Sequence, residues 1–78
     1  MRIYARIDYT VDKKHPDIKY LKDWNQNKIY SFEDVYHFND EPPTSEIEEY
    51  IKDDLMLVAG GGYTAEHIHN VDFTIYKI

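Results

Sequence analysis

The chain has 78 residues, no cysteine and a formal net charge of −6. A chain of this length holds one hydrophobic core with a stability of a few kcal/mol, and the missing thiols exclude a disulfide staple and a thiolate metal centre. No apolar run reaches the roughly 20 residues that span a bilayer, and MRIYARIDYTV lacks the unbroken apolar region of a signal peptide, so a single soluble, cytoplasmic domain over residues 1–78 is expected.

Residues 2 to 11 alternate strictly. Ile3, Ala5, Ile7, Tyr9 and Val11 share one parity and Arg2, Tyr4, Arg6, Asp8 and Thr10 the other, which predicts a strand with one face on the core. Asp12 to Asp17 is a polar connection, where Pro16 keeps His15 out of helical geometry. Ile18 to Trp24 and Lys28 to Phe38 are rich in β-branched and aromatic residues and flank Asn25, Gln26 and Asn27, whose tolerance of positive φ suits a hairpin loop. In the second run Tyr30, Phe32, Tyr36 and Phe38 share a parity that Asp34 interrupts, which suggests a bulge near Glu33 and Asp34. A competing reading takes Ser31 and Asp34 as the start of a single helical turn.

The stretch from Pro42 to Tyr63 has a helical period. Ser45 followed by Glu48 has the form of a capping box, with Thr44 as the other candidate cap. Ile47, Tyr50, Ile51, Leu55 and Val58 fall on one side and Glu46, Glu48, Glu49, Lys52 and Asp53 on the other. Asp54 lands inside the apolar stripe and Met56 opposite it. Either Asp54 has a buried partner, or the helix ends near it and Leu55 to Ala59 run on extended. Gly60, Gly61 and Gly62 suit a helix terminus, since glycine takes left-handed angles without penalty. Tyr63 to His67 reads as a turn, and Val71, Phe73 and Ile75 alternate with Asp72, Thr74 and Tyr76 in a closing strand. The expected fold is α+β: a β-β-β-α-β order, with one helix packed on a four-stranded, mainly antiparallel sheet and the last strand beside the first.

Charge is distributed unevenly. Residues 1–32 carry a net +3, residues 33–66 a net −9, and the last twelve cancel. Glu33, Asp34, Asp40, Glu41, Glu46, Glu48, Glu49 and Asp53 form an acidic band broken only by Lys52. Carboxylates several ångströms apart on a rigid helix imitate a run of phosphates and fit the basic groove of a nucleic-acid enzyme; the plain alternative is solubilising charge. A second candidate surface interleaves Lys13, Lys14, Lys19, Lys22 and Lys28 with Tyr20, Trp24 and Tyr30, the parts of a single-strand nucleic-acid binder. Against this, a domain so small has few places other than its core for its one Trp, and edge lysines also serve to block sheet-to-sheet association.

No catalytic constellation emerges. His67 and His69, with Glu66 and Asp72 nearby, have the two-residue spacing that points side chains one way on a strand, but a zinc site needs three or four ligands and neither His15 nor His37 is placed by sequence to complete one. The triple glycine lacks the Lys and Ser/Thr of a phosphate loop and closes a helix where such a loop would open one. Glu48 with Glu49, and Asp53 with Asp54, diverge by about 100° on a helix and do not converge on one substrate atom. No enzyme activity, metal or cofactor is expected.

The phrase IKDDLMLVAGGGY, Ile51 to Tyr63, resembles a stretch of small uncharacterised proteins of bacteriophages and related mobile elements. That resemblance implies a host-factor-binding protein acting in the host cytoplasm and carries no functional residue with it. The leading expectation is a non-enzymatic interaction module, a phage-type inhibitor or modulator whose acidic face docks on a basic, nucleic-acid-binding surface of a host protein. The alternative is a single-stranded nucleic-acid binder using residues 13–30, and self-association through the opposite charge poles is a further possibility.

Overall fold

The computed structural model describes residues 1–16, 18–58 and 66–78. Its architecture follows from the alternation of the first segment. β1 (Arg2–Val11) buries every odd residue: Ile3, Ala5, Ile7, Tyr9 and Val11 are all at most 4% exposed. Only a central strand, covered on one face and flanked on both sides, can do this. β2 (Tyr30–His37) and β3 (Ile68–Lys77) pair antiparallel on its two sides, giving the order β2-β1-β3. The long α1 (Thr44–Val58) connects the two edge strands and packs Ile47, Ile51 and Leu55 onto the odd face of β1. The result is the expected two-layer α+β domain, on a sheet of three strands.

The strand expected at Ile18 to Trp24 is a correction. Ile18–Tyr20 is a short 3-10 helix, and it sits in a chain of turns in which His15, Ile18, Leu21 and Trp24 each donate a backbone N–H to the carbonyl three residues back. The apolar side chains follow that period. Ile18, Leu21 and Trp24, three apart, pack against the core, and His15, three before Ile18, is 2% exposed. A spacing of three brings side chains of a 3-10 chain onto one side, and it outweighs the β-branched composition. The Trp24 indole Nε1 donates to the Val11 carbonyl at 2.9 Å, fastening this segment over the end of β1. The Asn25 to Asn27 turn forms as expected, with the Asn27 N–H on Asn25 Oδ1 at 2.9 Å, but it joins turns to β2 and closes no hairpin.

The expected irregularity in β2 is also absent, as is the competing helical turn. Its register with β1 is unbroken from His37 opposite Arg2 to Tyr30 opposite Tyr9. Asp34 does face the helix side, opposite Ala5, but lies on an edge strand where its carboxylate reaches solvent and takes the Val35 N–H at 2.8 Å. The bulge is in β3 instead. Between Asp8 opposite Asp72 and Thr10 opposite His69, β3 spends one residue more than β1, and Asn70 takes φ 54°, a left-handed angle that asparagine tolerates. The extra residue changes the parity of the strand, so that Ile68 and Phe73, five apart, both reach the helix side.

α1 begins two residues earlier than a capping box at Ser45 would place it, and one earlier than a cap at Thr44. The Pro43 carbonyl accepts the Glu46 and Ile47 N–H groups, making Pro43 the cap. The helix then continues past Asp54, whose Oδ2 accepts the Tyr36 hydroxyl proton, so the first alternative for that residue holds: it has a partner. Tyr50, expected in the apolar stripe, is 45% exposed and leans its ring toward Tyr36 and Phe38. The helix stop expected at Gly60, Gly61 and Gly62, and the start of the turn at Tyr63, lie outside the described residues. Among the described residues no helix is long and apolar enough to cross a membrane.

Candidate functional site

On α1, burial of Ile47, Ile51 and Leu55 dictates what faces solvent. At 100° per residue Glu46, Glu49 and Asp53 fall within about 60° of one another on the side away from the sheet, over about 10 Å of axis. All three are exposed, and neither they nor Glu48 have an ion-pair partner among the described residues. Leu57, 77% exposed, continues the same row by one turn. Glu48 turns toward the sheet flank and is half-buried.

The other members of the expected acidic band are scattered. Asp40 and Glu41 are exposed in the loop before the helix, and Glu41 Oε1 pairs with Lys77 Nζ at 2.9 Å. Glu33 and Asp34 point to opposite faces of β2. Asp34 keeps to the helix side, whereas Glu33 stands opposite Arg6 on the open face of the sheet and accepts the Tyr4 hydroxyl, which raises the acid range of Tyr4 above its usual value. The structure thus gathers Glu46, Glu49 and Asp53 and separates Glu33 from them.

The basic segment forms no flat hairpin. Lys13, Lys14, Lys19 and Lys22 are exposed on turns, while Lys28 is half-buried, with Nζ 3.3 Å from the Lys22 carbonyl and 5.3 Å from the centre of the Tyr30 ring. Trp24 and Tyr30 pack against the core; Tyr20, 71% exposed and with Lys19 Nζ 5.0 Å from its ring, is the one ring of the three left in water.

Two polar constellations were not legible in sequence. Asp12 bridges both histidines of the H-x-H pair, Oδ1 to His67 Nδ1 at 3.3 Å and Oδ2 to His69 Nε2 at 2.9 Å, and the His15 ring lies edge-on to His67 at 5.8 Å. The His69 bond, the Lys14 amide and His67 hold the Asp12 carboxyl below the usual carboxylate range. The carboxylate spends its oxygens on two separate rings, and among the described residues no group of three or more His, Asp or Glu is set to hold a metal ion. On the open sheet face Ser31 donates to Asp8, Arg6 Nε donates to the same oxygen at 3.0 Å, and Arg6 Nη2 reaches Ser31 Oγ at 3.0 Å. Ser31 first and Arg6 second lower the Asp8 carboxyl. Beside them lies an open groove of about 610 Å³ lined in part by Thr10, Gln26, Asn70 and Asp72. Residues from β1, β3 and the turn segment meet there, a combination that no spacing along the chain encodes.

Comparison with protein-family models, curated proteins and solved structures finds no match.

Proposed function

We propose that this protein is a non-catalytic interaction module whose outward helix face docks on a basic surface of a nucleic-acid-handling protein. The observation that carries the reading is the row Glu46, Glu49 and Asp53, three exposed carboxylates with no ion-pair partner among the described residues, held in fixed spacing by a helix whose opposite side is buried. A soluble protein needs surface charge, but an exposed helix ordinarily interleaves both signs; here the nearest cation on the helix is Lys52. Fixed carboxylates of one sign steer a basic partner and occupy the positions its phosphate contacts would take. With the phage-like phrase at Ile51 to Tyr63, this favours an inhibitor or modulator of a host protein acting in the host cytoplasm.

The test is retention of lysate proteins on immobilised protein, eluted with duplex DNA. Wild type is expected to retain a basic partner that DNA displaces, and the triple reversal Glu46→Lys, Glu49→Lys, Asp53→Lys to lose it. Retention unaffected by the reversal would dismiss the acidic face, and a partner that DNA fails to displace would dismiss the nucleic-acid groove as its target. Single-strand binding by residues 13–30 has less support, because of its three rings only Tyr20 is exposed. Oligonucleotide binding at low salt with a change in Trp24 fluorescence would reinstate it.

A further inference from the structure

The sheet has two edges, and among the described residues only one is blocked. In an antiparallel ladder the N–H and C=O groups of alternate residues point to the same side. The Phe38 N–H donates to the Met1 carbonyl, so even residues of β2 face β1 and odd ones face outward. The outward Val35 N–H is already taken by the Asp34 carboxylate, and Glu33 precedes it, so β2 caps and charges its own edge. On β3 the Ile78 N–H donates to the Arg2 carbonyl, so the even residues face β1 and Phe73, Ile75 and Lys77 present their backbone groups outward. None of these is capped by a side chain among the described residues. The run FTIY from Phe73 to Tyr76 has no charge, no proline and no bulge. Phe73 and Ile75, on the helix side, are only half-buried because one helix does not cover three strands.

We infer that β3 is a self-association edge: two copies of this chain pair β3 against β3 antiparallel about a two-fold axis at Thr74, making one six-stranded sheet. The register follows from the outward backbone groups and the side chains. Centring on Thr74 sets Phe73 against Ile75 of the second copy, twice, as hydrogen-bonded pairs whose side chains share the helix face, and aromatic against β-branched is a favourable cross-strand pair. Val71 then stands opposite Lys77, and Asp72 opposite Tyr76 on the other face. No like charges are opposed. Centring on Ile75 instead sets the apolar Phe73 against the charged Lys77. A two-fold axis normal to the sheet puts both helices on the same side, so the pair presents two acidic rows together.

The absence of cysteine makes a single introduced thiol an unambiguous reporter. Thr74 is exposed, and in this register its two copies form a pair without mutual hydrogen bonds, with Cα atoms about 4.5 Å apart, within disulfide range. Light scattering is expected to give twice the 9.4 kDa chain mass at high concentration. Mild oxidation is expected to link Thr74→Cys into a covalent dimer much faster than Asp72→Cys or Tyr76→Cys. Thr74→Lys and Thr74→Glu should each weaken the dimer about fivefold by opposing like charges, and an equimolar mixture should restore it. A monomer mass up to millimolar concentration, linkage at equal rates from all three positions, or linkage through Ile75→Cys in preference to Thr74→Cys would overturn the proposal.

Discussion

The Tyr36 hydroxyl donates to Asp54, tying edge strand β2 to α1 where a carboxylate interrupts the apolar stripe of the helix. Burial first, and the Asp54 bond second, raise the acid range of Tyr36 well above its ordinary 10.0. A group whose folded value is raised contributes stability in full below its unfolded value, and that contribution is lost as pH climbs through the folded one. Tyr36→Phe leaves Asp54 without its donor and is expected to cost about 1–2 kcal/mol at neutral pH in urea unfolding. The variant should also lose less than wild type on raising the pH past 10.0. Asp54→Leu, which completes the stripe, should cost less than Tyr36→Phe.

Ile51 is fully buried beneath the helix, among Ile3, Ala5, Ile7 and the other core residues. Ile51→Ala removes buried methyl groups and leaves a cavity, an expected loss of about 3 kcal/mol. That is most of the stability of a domain of this size, so the variant should be substantially unfolded at ambient temperature, with reduced helical circular dichroism and a red-shifted Trp24 emission.

Asn70 holds the bulge of β3 at φ 54° and donates Nδ2 to Thr10 Oγ1 at 2.9 Å. Asn70→Gly keeps the left-handed angle and loses only that bond, whereas Asn70→Val adds the steric cost of a β-branched residue there. Thermal unfolding should rank wild type above glycine and glycine above valine, with valine about 2 kcal/mol below wild type.

Asp12 binds His69 and His67 and accepts the Lys14 N–H, and its carboxyl is held below the usual range. The folded value being the lower, the contribution is present above the unfolded value of 3.8 and vanishes as pH falls through the folded one. Asp12→Asn should therefore flatten the fall of stability between about pH 5 and pH 2 in urea titrations. An unchanged acid limb would show that the bridge between the end of β1 and the start of β3 contributes nothing.

How far the chain declares its own structure differs from segment to segment. β1 declares itself because ten residues alternate without exception, and α1 because Ile47, Ile51 and Leu55 keep one side over about two turns. The turn segment misled through composition. Ile18, Leu21 and Trp24 are strand-forming residue types, but their spacing of three was the better guide, and His15 at the same spacing completes it. The row Glu46, Glu49 and Asp53 was legible for the same reason as the helix, since burial of one side fixes what the other side shows. Glu33 stands apart from it, because parity on β2 and register against Arg6 decide its face.

The sequence by itself therefore determined the two local periods, the one-core limit and the sign of the exposed helix side, all of which depend on neighbours within a few residues. Only the tertiary structure decided which edge of the sheet is capped, where the bulge falls and that Asp12 meets His67 and His69, or Asp54 meets Tyr36. Those meetings depend on strand register and on which face each strand turns to the helix. They are settled by packing the whole core at once, and no stretch of chain carries them alone.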